Sequence, residues 1–300
     1  MLAAQPGILA DETRLARYLL FSIDCPEDIP QALENLAGNT DNNTTVVGVG
    51  PSLLAVLGKS IPGLHCMPAQ SAAGIDIPST PMALWCWLRG TDRGELFHRA
   101  RAIENLLAPA FMLEDVIDSF QYDHNHDLTG YEDGTENPQG QEAINAAIVQ
   151  NAGEGLDGSS YVAFQQWLHD FDVYDDMSIE QQDNTIGRHI SDNEEFDEAP
   201  SSAHVKRAAQ ESFQPEAFML RRSMPWSEGD SAGLVFVAFA TSLKPYEAIF
   251  NRMLGNEDGI RDALFDFTRP VNGAYFWCPP VSHGRLDLRA LGIGSDSTVD

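Results

Sequence analysis

The stretch that decides the fold is LWCWLRGTDRGELFHRARAI (84–103), set beside LVFVAFATSLKPYEAIFNRML (234–254). Each runs as an apolar strand, a Thr-containing polar turn and a helix carrying Phe and Arg. The two copies lie about 150 residues apart, which reads as an internal repeat of one α+β unit. In the first copy Leu96, Ala100, Ile103 and Leu107 fall on one helical stripe, with the polar residues opposite.

Working outward, the same grammar fills the rest of the first half. RYLLFSID (17–24) predicts a strand, PEDIPQALENLAG a helix, TTVVGVG a strand, PSLLAVLG a short helix and FMLEDVIDSFQY a strand. In the second half SSYVAFQQWLHDF (159–171), FMLRRSMPW, GLVFVAFATS and GAYFWCPP predict strands. SIEQQDNTIGRH and KPYEAIFNRML predict helices. The economical organisation is two α+β halves, each an antiparallel sheet with helices on one face. The glycine- and acid-rich stretch around 130–158 joins them. We place the boundaries at 1–130, 131–158 and 159–300.

Composition limits the function classes. The chain has 300 residues, 45 acidic against 18 basic, and a net charge of −27. Such a surface repels phosphate backbones, so nucleic acid is not expected as a partner. No apolar run is long enough for a membrane span. The start, MLAAQPGILADETRLARYLLF, carries no basic leader or long apolar segment, so we expect a cytoplasmic chain. Cys25, Cys66, Cys86 and Cys278 are scattered with no CxxC pair, which argues against zinc or a disulfide framework and leaves them as small core residues. SDNEEFDEAPSSA (191–203) reads as a solvated acidic loop.

Several side chains stand out. DHNHDLTGYEDG (123–134) begins with Asp123, Asn125 and Asp127 at calcium-loop spacing, but Leu128 replaces the required Gly and Gly134 the required Glu, which excludes an EF-hand. His124 and His126 lack a third metal ligand nearby in sequence and read as an exposed pair. In FMLRRSMPW, strand alternation sends one of Arg221 and Arg222 inward if the other faces solvent, and an inward Arg needs an anion or a polar pocket. Asp133 in GYEDGTENP (130–138) has the same need if buried, and His204 stands in SSAHVKR just past a Pro-Ser-Ser turn.

Together these segments resemble the dye-decolourising peroxidases, a haem family, in its compact bacterial branch. GYEDGTENP resembles the family's GxxDG motif, with Gly130, Asp133 and Gly134 in place. QPGIL, YVAFQQWLHDF, IGRH (186–189), NEEFDEAPSSAHVKR, LRRSMPW and RDALFDFTRPVNGAYF resemble further family blocks, in order, over residues 5 to 280. The resemblance implies two ferredoxin-like halves forming a dimeric α+β barrel. It implies one haem b per chain, held mainly by the second half. His204 aligns with the iron ligand, Asp262 with the acid bonded to it, Asp133 with the distal acid–base residue and Arg221 with the distal arginine. Ser223 stands where the family has a small polar residue. Gly130, Glu132, Gly134, Thr135 and Arg188 are implied cofactor contacts, Arg188 toward a propionate.

The implied reaction uses hydrogen peroxide and an unidentified small-molecule reductant to oxidise dyes and other one-electron donors. The alternative is a haem-handling protein, a carrier or an iron-releasing dechelatase. Trp167, Trp226, Tyr246 and Trp277 are candidate electron relays, or plain packing. A homo-oligomer, a dimer or larger, is expected. The tail RALGIGSDSTVD (289–300) contains LGIGS, which resembles the tails that direct some relatives into encapsulin shells. The competing reading is an arm packed on a neighbouring subunit or frayed.

Overall fold

The computed structural model describes residues 3–72 and 74–294. The first half supplies strands β1 (Leu15–Ile23), β2 (Thr45–Val49), β3 (Leu84–Gly90) and β4 (Phe111–Phe120), with helices α1 (Ile29–Asn39) and α2 (Arg93–Leu107). Helix α3 (Gly140–Ala147) lies in the connecting segment, which is therefore not all loop. The second half supplies β5 (Ser160–His169), β6 (Met224–Glu228), β7 (Ser231–Ala240) and β8 (Ala274–Cys278). Its helices are α4 (Ile179–Ile186), α5 (His204–Ala208) and α6 (Lys244–Met253).

The repeat in the sequence is a repeat in the topology. The first half pairs in the order β2-β3-β1-β4, and the second in the order β8-β5-β7-β6. Numbered within each half, both follow the ferredoxin-like order, with the first strand central. The halves do not keep separate sheets as the two-sheet expectation had it. Trp277 on β8 pairs with Val49 on β2, and Ser119 on β4 pairs with Trp226 on β6. These two seams close the strands into a barrel. The physical reason is that each isolated half would leave two edges of unpaired backbone groups, and joining edge to edge satisfies them.

Strands β2, β3, β5 and β8 are buried on both surfaces and read as continuous apolar runs rather than polar-apolar alternations, whereas β4 is largely exposed. Along β3, Trp85 and Trp87 point into the barrel and Cys86 and Leu88 point out to the helices. The barrel interior is filled by Tyr18, Trp85, Trp87, Phe164, Phe239 and Phe276. Trp85 stacks on Phe276 with ring centres 5.9 Å apart. Outside, α1 and α2 lay Leu33, Leu36, Leu96 and Ile103 over Leu19, Phe21 and Val47. The four stripe residues of α2 are all buried, and the Asp92 side chain accepts from the Glu95 N–H at 2.8 Å to cap its start.

Smaller expectations are corrected. FMLRRSMPW forms two pieces, Leu220–Arg221 and Met224–Glu228, because the ladder with β7 lapses at Arg222 and Ser223. Cys86 and Cys278 are core residues, but Cys66 is exposed and Cys25 half-buried. Leu291 and Ile293 of the tail are buried in this chain's own core, and residues 295–300 lie outside the described residues. No helix among the described residues is long and apolar enough to cross a membrane.

Candidate active site

The turn that carries Asp133 is held by its own backbone and by a neighbour. The Asp127 N–H donates to the Tyr131 carbonyl at 2.8 Å, the Gly130 N–H to the Asp127 carbonyl at 2.9 Å, and the Asp133 N–H to the Asn125 carbonyl at 2.8 Å. Gly130 and Gly134 hold φ of +93° and +78°, a region side chains rarely adopt, so the two glycines of the motif are what allow the chain to double back. Asn137, three residues past Gly134, then clamps the turn to a strand. Its side-chain oxygen accepts from the Arg221 N–H at 2.8 Å, and its side-chain nitrogen donates to the Arg221 carbonyl at 3.0 Å. Asp133 and Arg221 are thereby fixed beside one another.

His204 opens the short helix α5. Its Nδ1 donates to Asp262 at 2.8 Å, and Asp262 is fully buried. The other Asp262 oxygen accepts from the Leu264 N–H at 2.9 Å, capping the turn Ala263–Asp266, so the carboxylate cannot rotate away. With Nδ1 engaged, the free lone pair of the imidazole is on Nε2. The helix is tied down at its far end by Arg207, which donates twice to Asp258 at 2.8 Å and to the Arg252 carbonyl at 2.9 Å. Gly187 ends α4 against it. A Cβ there would come within 2.3 Å of Val205 and 3.2 Å of Ala203, so only glycine lets α4 pack this close to the His204 helix.

These residues meet around two adjoining cavities. The larger encloses about 1020 Å3, open mouth included. His204, Asp133 and Arg221 all line it, together with apolar walls from Leu234, Phe236 and Trp167 on the outer face of β5 and β7, and Ile249, Phe250 and Met253 on α6. The smaller, about 540 Å3 on the same measure, lies across the Asp133–Arg221 wall and is lined also by Arg89, Arg222 and Ser223. Burial pushes the Asp133 carboxyl above its ordinary range, and the Arg221 guanidinium pulls it back part of the way. The Arg221 Nε and the Ser223 Oγ are buried without a hydrogen-bond partner, which in a folded protein marks a place for a water or a ligand.

The remaining site expectations fall as follows. Glu132 lines the larger cavity and accepts from Asn193 at 2.9 Å. Gly134 lines the smaller one, and Thr135 lines a separate outer groove. Gly130 and Arg188 line none of these three. Arg188 instead donates to the Asn193 carbonyl at 2.9 Å and pairs with Glu195 at 3.6 Å and Glu136 at 3.8 Å, stitching the acidic loop to the Asp133 turn. Arg221 and Arg222 both line the smaller cavity, and Arg221 lines the larger one as well, so the pair is not split between a pocket and open solvent. His124 is exposed, whereas His126 is partly buried and lines the smaller cavity, so the two do not form an exposed pair.

Residues 124–283 match the family model described as "Dyp-type peroxidase, C-terminal". A dye-decolorizing peroxidase of Rhodococcus erythropolis is 30% identical over 291 residues, covering 91% of this chain and 85% of its own length. The chain belongs to the dye-decolourising peroxidase family. The crystal structure of DyPB from Rhodococcus jostii RHA1 superposes with a TM-score of 0.85 at 24% identity, covering 98% of this chain and 100% of the other. A variant of Rhodococcus jostii RHA1 DypB in complex with haem superposes with a TM-score of 0.82 at 26% identity, covering 93% and 96%. The fold is that of these peroxidases: two ferredoxin-like halves in one α+β barrel.

Sequence reasoning about this peroxidase passed over three features of the cavity. Asn137 carried a signal, since it stands inside the GYEDGTENP motif. The second is a buried pair on the cavity wall. The His169 Nε2 faces Asp127 at 3.0 Å, and its Nδ1 faces the Thr268 hydroxyl at 2.7 Å. Burial pushes the Asp127 carboxyl up, but the hydrogen bonds from His169 and Thr129 outweigh it and the net shift is downward. The third is the Tyr246 hydroxyl donating to Gln165 at 2.8 Å. Nothing local in the sequence joins these positions, which lie 42, 99 and 81 residues apart. Of the relay candidates, Trp167, Trp226, Tyr246 and Trp277 are all buried, so none stands at the surface.

Proposed function

We propose that this chain is a haem-dependent peroxidase whose larger cavity holds haem b, one per chain and mainly through the second half, with His204 on one side and Asp133 and Arg221 on the other. The observation that carries this is the His204–Asp262 pair at 2.8 Å in a cavity that also takes in Asp133 and Arg221. The residues fit the group. An imidazole with Nδ1 held by a carboxylate offers Nε2 to a metal with raised basicity. The walls of Leu234, Phe236, Phe250, Leu264 and Phe267 suit the flat apolar face of a macrocycle. Bound there, haem supplies the iron at which peroxide is reduced and the oxidising power passed to the donor.

The chain's own residues supply the proton chemistry. Hydrogen peroxide must lose a proton from one oxygen and gain one on the departing oxygen. Ionised Asp133 accepts the first proton and returns it to the second site. Arg221 stabilises the negative charge that grows as the O–O bond breaks, and its unpartnered Nε leaves a donor free for that purpose. Because burial raises the Asp133 pKa, the ionised base becomes available at a higher pH than an ordinary carboxylate would allow. A carrier would have no need of this acid–base pair.

Stopped-flow mixing of the haem-loaded chain with hydrogen peroxide tests the reading. A rapid, saturable change of the haem absorbance, reversed by an added one-electron donor, supports it. Haem that is released or left unchanged by peroxide points to a carrier or a dechelatase. Homo-oligomer formation is part of the same reading, and sedimentation of the loaded chain reads it. Loading into an encapsulin shell would have to draw Leu291 and Ile293 out of the chain's own core. Co-expression with a shell protein, comparing the full chain with one ending at Arg289, separates the roles. Loading lost on truncation supports the shell, and equal loading with lower thermal stability supports packing.

A further inference from the structure

The smaller cavity holds two arginines that the peroxide step leaves unused. It is lined by three arginines, Arg89 and Arg222 beside Arg221. The chain holds only 18 basic residues against 45 acidic. Arg17, Arg93, Arg188, Arg207, Arg252, Arg261 and Arg289 each contact a carboxylate. Among the described residues, none of the three cavity arginines forms such an ion pair, although Asp11 and Glu12 lie near enough to favour the charge on Arg89 and Arg222.

Arg89 is 7% exposed and its Nε has no partner. Its fork is held in place by the Asn43 and Asp11 carbonyls, and its guanidinium lies 5.0 Å from the centre of the Trp87 ring. The Arg222 Nε is likewise buried and unpartnered, and one of its terminal nitrogens donates to the Arg221 carbonyl at 3.3 Å. The Ser223 Oγ adds a further unpartnered hydroxyl. Arg222 lies close enough to disfavour the charge on Arg89, and burial disfavours the charge on both. Like charges brought together out of water, with donors unspent, are costly unless an anion joins them. Glu12 stands at the exposed rim, His126 lines the wall, and Asp133 is the one carboxyl inside, its ionised form disfavoured by burial.

We propose that this cavity is a binding site for a small oxyanion, an inorganic one or a short carboxylate, gripped by the Arg222 guanidinium and the Arg89 Nε–H, with Ser223 completing the donor set. The planar fork of a guanidinium matches two oxygens of such a group. Of the roughly 540 Å3 counted with the open mouth, only about 40 Å3 is room a water-sized group can occupy, which limits the occupant to a few heavy atoms. The anion would border Asp133 and Arg221 from the side opposite the larger cavity.

Sodium nitrate is the probe. It is titrated calorimetrically into the haem-loaded chain at constant ionic strength held with sodium gluconate, an anion too large for the cavity, while the Soret band is recorded. The expected result is saturable one-to-one binding with an unmoved Soret band. Arg222→Gln should weaken it at least about tenfold, the scale of one charge-assisted hydrogen bond. Arg222→Lys, which keeps the charge but loses the fork, should fall between them, and Arg101→Gln on the exposed face of α2 should bind as the parent does. The absence of saturable heat in the parent chain overturns the proposal. So does parent-like affinity in both Arg222 variants, or heat accompanied by a Soret shift, which would place the anion at the iron.

Discussion

The two halves share a strand order and differ in what lies over the sheet. In the first, residues 24–44 connect β1 to β2, and α1 drops Leu33 and Leu36 directly onto Leu19, Phe21 and Val47. In the second, residues 170–223 span the equivalent connection and carry both α4 and α5. There the longer crossing stands off the strands, and a cavity opens over Gln165, Trp167, Leu234 and Phe236. Into that cavity come His204 from the middle of the crossing, Asp133 from the segment joining the halves and Arg221 from the short strand piece Leu220–Arg221 near the end of the crossing. The repeated frame is therefore a scaffold, and the chemistry comes from segments the repeat does not contain. Orphaned donors sit there on Arg221, Arg222 and Ser223, as they also do in the frame on Trp85, Trp87 and Trp277.

If this division is right, damage to the segments around the cavity removes function and spares the frame. The largest effect is expected for Asp133→Asn. Losing a placed acid–base group should slow the peroxide step by about 10²–10⁴. In the parent the rate should climb as pH rises through the raised Asp133 pKa, and in the variant that climb should vanish, as read by stopped flow across pH. A parent-like rate and profile would take Asp133 out of the mechanism.

Asn137→Ala comes next. It leaves Asp133 and Arg221 in place chemically but removes the reciprocal bonds that align them, so the same rate should fall by about ten- to a hundredfold. Haem content should not change. Loss of haem instead would mean that the turn holds the cofactor rather than aiming the carboxyl.

Leu33→Ala sharpens the comparison from the other side. Removing this buried leucine from the first half should cost about 2–5 kcal/mol of stability by denaturant titration. The Soret band and the peroxide rate per haem should stay as they were, because the residue touches only the filled layer. A Leu33→Ala chain that folds but binds haem poorly would show the halves to be one functional unit.

The smallest effect is on stability through Asp133. Its folded pKa lies above the ordinary value, so the folded state binds more protons than the unfolded one and this carboxyl lowers stability as pH rises through the interval between the two pKa values. Asp133→Asn should therefore melt slightly higher than the parent at neutral pH. The difference should close as pH falls below the ordinary carboxylate range.

The strands, the repeat and the Asp133 turn were legible because each leaves a local trace: an apolar run, a helical stripe, a glycine-bounded turn. RYLLFSID and GLVFVAFATS could be read from periodicity alone. Closure of the barrel could not, since Trp277–Val49 and Ser119–Trp226 are single pairings between distant strands with no pattern of their own. The environment of Arg222 was out of reach for a related reason. Alternation along a strand gives two sides, but only the closed barrel decides that the second side is a cavity lined by Arg89 rather than solvent. Arg188 was assigned toward the cofactor through its motif, and its place here against Glu195 and Glu136 depends on how two loops pack.

The central claim is that the second half's cavity is built around His204 as the iron ligand, and haem titration reads it directly. Parent, His204→Ala and His189→Ala chains are titrated with haem, and the Soret band is followed through gel filtration. His189 is the natural control, half-exposed, stacked on Phe196 at 4.7 Å and bonded to Asp183 at 3.1 Å, away from the cavity. The account predicts that His204→Ala loses most of its haem or keeps it without the parent spectrum, while His189→Ala matches the parent. A parent-like Soret band in His204→Ala, with the loss falling on His189→Ala, would contradict it.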